Sequence, residues 1–97
     1  MSLWNLQWRD AKVSLMENKL QRTLGRNLRA YRKAHDLSQE NFAEIISIHQ
    51  TYIGGVERGE RNLTLRSLER MAGRIEIDPL ELLRPSDDNG QAALPDP

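Results

Sequence analysis

The sequence predicts an all-α fold: five short helices in one compact domain, with an N-terminal extension before it and a mobile C-terminal tail after it. Three observations carry that reading. From Leu24 to Leu83, apolar residues recur three and four positions apart, the spacing of a helix face. No stretch alternates apolar and polar residues with the period of two that a half-buried strand requires. Capping and turn residues interrupt the apolar runs often enough to keep each helix brief. The 97 residues are 38% hydrophobic and 29% charged, ordinary values for one small soluble domain.

The first helix runs through "TLGRNLRAYRKAH", where Leu24, Leu28, Tyr31 and His35 share a face between arginines. Asp36 stands where it ends, a residue that tolerates left-handed geometry, though less well than glycine. "LSQENFAEII" follows, with Ser38 as N-cap, Glu40 in the first turn and Phe42, Ile45 and Ile46 as the apolar face. Ser47 to His49 form a break. Helical spacing resumes from Gln50 to Arg58, with Ile53 and Val56 inward, although Gly54 and Gly55 sit side by side within it. Each glycine in a helix interior costs about 1 kcal/mol relative to alanine. After the turn "GERN", Thr64 caps a helix with Leu65, Leu68, Met71, Ala72 and Ile75 as its buried stripe. Asp78, Pro79 and Glu81 make a strong start for a last short helix, "PLELL". The two helices Ser38–Ile46 and Gln50–Arg58 are joined by so few residues that they must cross steeply, as in a helix-turn-helix.

Composition excludes several classes. The longest uncharged stretch, Ile45 to Val56, is too short and too polar to span a bilayer. No basic region followed by an apolar one opens the chain, so no secretory signal is expected and a cytoplasmic, bacterial-type protein fits. The absence of cysteine excludes disulfides, thiolate metal sites and thiol nucleophiles. His35 and His49 lack partner ligands at metal spacing, so no metal is expected. "GGVERG" lacks the Gly-Lys-Ser/Thr ending of a phosphate-cradling loop, and no string suggests a nucleophile elbow. No cofactor and no catalytic residue is therefore assigned. The net charge is zero, yet residues 22–74 carry ten arginines and lysines against six acids, leaving +4, while residues 75–97 carry one arginine against six acids, leaving −5. The middle of the chain can thus present a basic face to a polyanion. Residues 1–20 read as the extension, 21–84 as the domain and 85–97 as a flexible acidic tail too poor in apolar residues to order itself.

"LSQENFAE" followed by "TYIGGVERGERNLTLRSLERMA" resembles the helix-turn-helix of the phage repressor/Cro (XRE) family of bacterial regulators. The likeness runs from Leu24 to Leu83, and "TYIGGVERGERNLT" looks most like restriction–modification controller proteins. Asp36 and Ser47 depart from it, standing where relatives often have glycine; local strain is the expected result.

The resemblance implies a repressor-like DNA-binding domain whose second motif helix enters the major groove. Gln50 would then read adenine through its amide, while Thr51 touches a thymine methyl or a phosphate and Tyr52 positions on the backbone. Gly55 would allow close docking on DNA. Gln39 matches a residue that grips a phosphate, and Arg58, Arg61 and Asn62 match residues that reach phosphates or the groove edge. Arg32 and Glu57 match a structural ion pair. Relatives dimerise, and Leu80, Leu82 and Leu83 form the candidate seam, although some of them must close the monomer core. Trp4 and Trp8, spaced to share one helix face, extend that interface, cover the domain or stay disordered; the first two are the expected outcomes. The implied function is a transcription regulator acting as a homodimer on double-stranded DNA. An antitoxin-like role on the same fold is the alternative, and a toxin or RNA polymerase would be the protein partner.

Overall fold

The computed structural model describes residues 18–85, and within them every regular element is a helix. These are α1 (Lys19–Ala34), α2 (Gln39–Ile45), α3 (Gln50–Glu57), α4 (Leu65–Arg74) and α5 (Pro79–Leu82). The extension with Trp4 and Trp8, and the tail beyond Pro85, lie outside the described residues.

Local chemistry sets the helix starts. The Ser38 hydroxyl accepts from the Asn41 N–H at 3.0 Å and the Thr64 hydroxyl from the Ser67 N–H at 3.0 Å. The Asp78 carboxylate accepts from the Leu80 N–H at 2.9 Å, with Pro79 at the first helical position. Each removes an orphan donor of the first turn.

The first four helices end alike. After each C-cap residue comes one residue in the left-handed region: Asp36, Ser47, Gly59 and Glu76, with φ of 56°, 64°, 75° and 57°. The following amide then reaches back to the last turn. The Leu37 N–H donates to the Arg32 carbonyl, Ile48 to Ala43, Glu60 to Gly55 and Ile77 to Ala72, at 2.9–3.1 Å. This is the Schellman arrangement, repeated four times. Only one of the four left-handed positions holds glycine. A side chain there costs about 1–2 kcal/mol, so strain sits at Asp36 and Ser47 as expected and also at Glu76. Ser47→Gly is accordingly expected to stabilise the domain by about 1 kcal/mol, net of glycine's larger unfolded-state entropy. Ser47→Ala should give no such gain. Urea midpoints at unchanged m would show the difference, and a glycine variant no more stable than wild type would refute the strain.

The core is a single cluster in which Leu28, Phe42, Ile46, Ile53, Met71 and Leu82 are wholly buried. Small residues let the helices approach. Ala43 is buried where α2 meets α3. Gly25 lies where α1 crosses the end of α3: a Cβ there would come within 2.6 Å of the Glu57 carbonyl oxygen and closer still to that of Val56. Asn27, with no exposed surface, donates its amide to the Leu82 and Arg84 carbonyls at 2.8 Å each and so ties the end of α5 to α1.

Two residues assigned to apolar faces are instead exposed. Ile45 is 39% exposed because the buried stripe of α2 passes through Phe42, Ala43 and Ile46, leaving it on the flank. Leu65 is 77% exposed: it is the first residue of α4, and the core begins one turn later at Leu68. The seam also divides. Leu82 has no exposed surface and belongs to the monomer core, so its assignment to a dimer contact is corrected; Leu83 is half-buried against that core. Leu80, 72% exposed, alone of the three stands clear.

Candidate nucleic-acid interface

The second helix of the motif begins with His49 as its cap. The His49 Nδ1 accepts from the Thr51 N–H at 3.2 Å and lies 2.8 Å from the Thr51 hydroxyl. An accepting Nδ1 places the ring proton on Nε2 and makes the hydroxyl the donor. Thr51 therefore engages its hydroxyl on the cap. Gln50, the first residue of α3, is exposed.

Gln50, Gly54 and Arg58 succeed one another four apart, so they line one face of α3 opposite Ile53 and Val56. The two glycines now have distinct uses. A Cβ on Gly54 would lie 3.1 Å from an Arg58 guanidinium nitrogen and 4.0 Å from the Gln39 amide nitrogen. A Cβ on Gly55 would lie 2.9 Å from the Arg61 Nε and 3.2 Å from its Cγ. Gly55 is buried. The room it leaves is taken up by the Arg61 side chain. The seated Arg61 guanidinium lies 4.5 Å from the centroid of the Tyr52 ring, which itself packs on the core. A cation placed over a ring in this way is drawn weakly to that position. Asn62 follows, exposed, in the loop before α4.

Arg58 Nε donates to Glu60 at 3.1 Å, with more than half of each side chain exposed. An ion pair so open contributes little to stability and yields readily to a phosphate.

Behind this face stands a buried network. Arg32 donates from Nε to Glu57 Oε2 at 2.6 Å, from Nη2 to Oε1 at 3.0 Å, and from Nη1 to the Leu37 carbonyl at 3.0 Å. The Glu57 side chain is only 3% exposed and that of Arg32 13%. The hydrogen bonds that Arg32 donates to Glu57 hold the Arg32 pKa above its ordinary value, against the opposing effect of burial. Gln39 Nε2 also donates to Glu57 Oε1, at 3.1 Å. One carboxylate thus fixes α1 and the start of α2 to the end of α3, placing Gln39 beside the α3 face.

The structure brings Gln39, Gln50, Gly54 and Arg58 to one surface, with Tyr52 and Arg61 at its edge. The capping role expected of His49 is the one it has, through the Thr51 N–H; sequence reasoning missed the seat of Arg58 on Gly54 and Gly25, which sets how closely α1 approaches. For Gly25 there was a signal: it falls beside Leu24 and three before Leu28, on the buried side of its helix. Among the described residues, no group of three or more histidines or carboxylates could hold a metal ion, and no helix is long and apolar enough to cross a membrane.

A five-helix domain with two short helices crossing at a tight turn, the second exposing an amide and arginines, defines a helix-turn-helix DNA-binding protein. A family model described as helix-turn-helix matches residues 28–82, and the chain belongs to that family, of the XRE type. Among its relatives is the control protein C.SmaI of Serratia marcescens, 43% identical over 74 residues that make up 76% of this chain and 86% of that protein. The crystal structure of the restriction–modification controller protein C.AhdI from Aeromonas hydrophila superposes with a TM-score of 0.57 at 41% identity, over 63% of this chain and 92% of that one. A hypothetical transcription factor from Neisseria gives a TM-score of 0.63 at 33% identity, over 68% of this chain and 76% of the other.

Proposed function

We propose that the protein is a cytoplasmic, sequence-specific regulator that binds double-stranded DNA as a homodimer on a pseudo-palindromic operator, in the manner of a restriction–modification controller. The observation that carries this reading is the face of α3, where exposed Gln50 leads and Arg58 follows two turns later over Gly54. Gln50 would meet an adenine edge in the major groove, Thr51 a thymine methyl, and Gln39, Arg58, Arg61 and Asn62 the flanking phosphates or groove edge. Tyr52 supports Arg61 and leans on the backbone. A single domain makes too few contacts to hold an operator; exposed Leu80 supports pairing of two copies, whose α3 helices would meet half-sites about 34 Å apart.

Selection of bound sequences from a random DNA pool tests the reading. Paired half-sites at one helical turn are expected, bound more weakly as salt rises because phosphate contacts release counterions. On the selected site Gln50→Ala should cost about 1–3 kcal/mol, with little change on unrelated DNA. Equal losses on every sequence would remove Gln50 as a base reader. No enrichment at about 50 mM salt, where such binding is strong, would overturn the regulator reading altogether.

A further inference from the structure

The described domain carries a groove, mostly apolar, that borders the surface assigned to DNA only at Arg61 and Asn62. It has a volume of about 310 Å³ and lies between the first turn of α1, the loop after α3 and the end of α5. Leu24 and Leu68 line it deeply, Leu63 and Leu83 partly, while Leu20 and Leu65 stand at its margin 60% and 77% exposed. That much open leucine on so small a domain calls for a cover.

We propose that the chain's own N-terminal segment, residues 1–17, fills this groove with Trp4 and Trp8. The segment joins the domain at Asn18, and Asn18, Lys19, Leu20 and Gln21 are themselves part of the groove wall. It therefore starts at the mouth. Asn18 has a left-handed backbone, φ 65°, so the chain turns sharply where it enters α1. Trp8 lies ten residues before Asn18, a reach of about 15 Å if helical and about 33 Å if extended, so either conformation suffices. The chemistry matches: Leu3, Trp4, Leu6 and Trp8 are apolar, and the charges of Arg9, Asp10, Lys12 and Glu17 cancel. A cavity of about 150 Å³ takes one benzene, so this volume accommodates an indole with its neighbours. Tethering places the segment at an effective concentration of order millimolar, which favours the same chain over a second copy.

Trp4 and Trp8 are the only tryptophans, 2 in the whole sequence, so fluorescence excited at the red edge, where Tyr31 and Tyr52 do not absorb, reports this segment alone. Emission blue-shifted from that of a peptide of residues 1–17, with acrylamide quenching several-fold weaker, is expected and should not change on dilution. Leu65→Asp, at an exposed first helical position where an acid is welcome, should return emission and quenching towards the peptide values while the far-ultraviolet circular dichroism of the domain is kept. Leu80→Asp, outside the groove, should leave both unchanged. Peptide-like fluorescence in the wild type would overturn the proposal. So would a blue shift lost on dilution or in Leu80→Asp, which places the tryptophans on a second copy, or one that survives both Leu65→Asp and Leu20→Asp, which places them elsewhere. None of these readings depends on DNA.

Discussion

Arg32→Ala is expected to destabilise the domain by about 3–5 kcal/mol, the usual cost of stranding one partner of a buried ion pair. The cause is Glu57, whose side chain is 3% exposed and would keep only the Gln39 amide, 3.1 Å away, as a side-chain donor. The Leu37 carbonyl would lose the Arg32 donor as well. An exposed pair such as Arg58–Glu60 would give far less, screened by solvent, so the magnitude itself distinguishes the two environments. Chemical denaturation with urea measures it. Replacing both partners, as in Arg32→Met with Glu57→Leu, should recover much of the loss, because the expense lies in the uncompensated charge and not in the missing attraction. A cost below about 1 kcal/mol for Arg32→Ala would show that Glu57 finds water or another donor, and that the network is not what anchors α3.

Gly25→Ala should destabilise by about 2 kcal/mol, although alanine is the better helix former by about 1 kcal/mol. The added methyl meets the Val56 and Glu57 carbonyls, which are backbone and cannot swing aside. α1 must lift away from α3, disturbing the Arg32–Glu57 geometry on the same crossing. Gly73→Ala in α4 is the control, because nothing lies within 4 Å of a Cβ added there. It should be neutral or stabilising. If the two substitutions shift the urea midpoint in the same direction, the close approach of α1 to α3 does not govern stability.

What sequence reasoning could and could not reach follows from the range of the forces concerned. Helix starts at Ser38, Thr64 and Asp78 were legible because a cap is a contact between residues two or three apart. The face of α3 was legible from its period. The double glycine was legible only in part. Its sense depends on Arg58 and Arg61 folding back over the helix, a matter of rotamers and of the turn at Gly59 that no local pattern encodes. Leu80, Leu82 and Leu83 are chemically alike, and the docking of α5 on α1, through Asn27, and on α4 decides which of them is covered. Leu65 shows the limit of periodicity: a stripe names a face without saying how far along it the core extends.

The four matching helix ends differ in what latches them. After α1, α2 and α4 the residue beyond the left-handed position is Leu37, Ile48 or Ile77, each packed against or within the core. After α3 it is the exposed Glu60, and the loop is held instead by a Gln21 amide donating to the Gly59 carbonyl at 3.2 Å. Three ends are therefore closed by apolar burial, which water cannot replace, and one by a polar contact that water can. Local opening draws on the least buried backbone first. The exposed segment from Glu60 to Asn62 can consequently loosen and re-form around a ligand's contour while buried Gly59 and the interior stay shut. Adaptability is thereby confined to the stretch that carries Arg61.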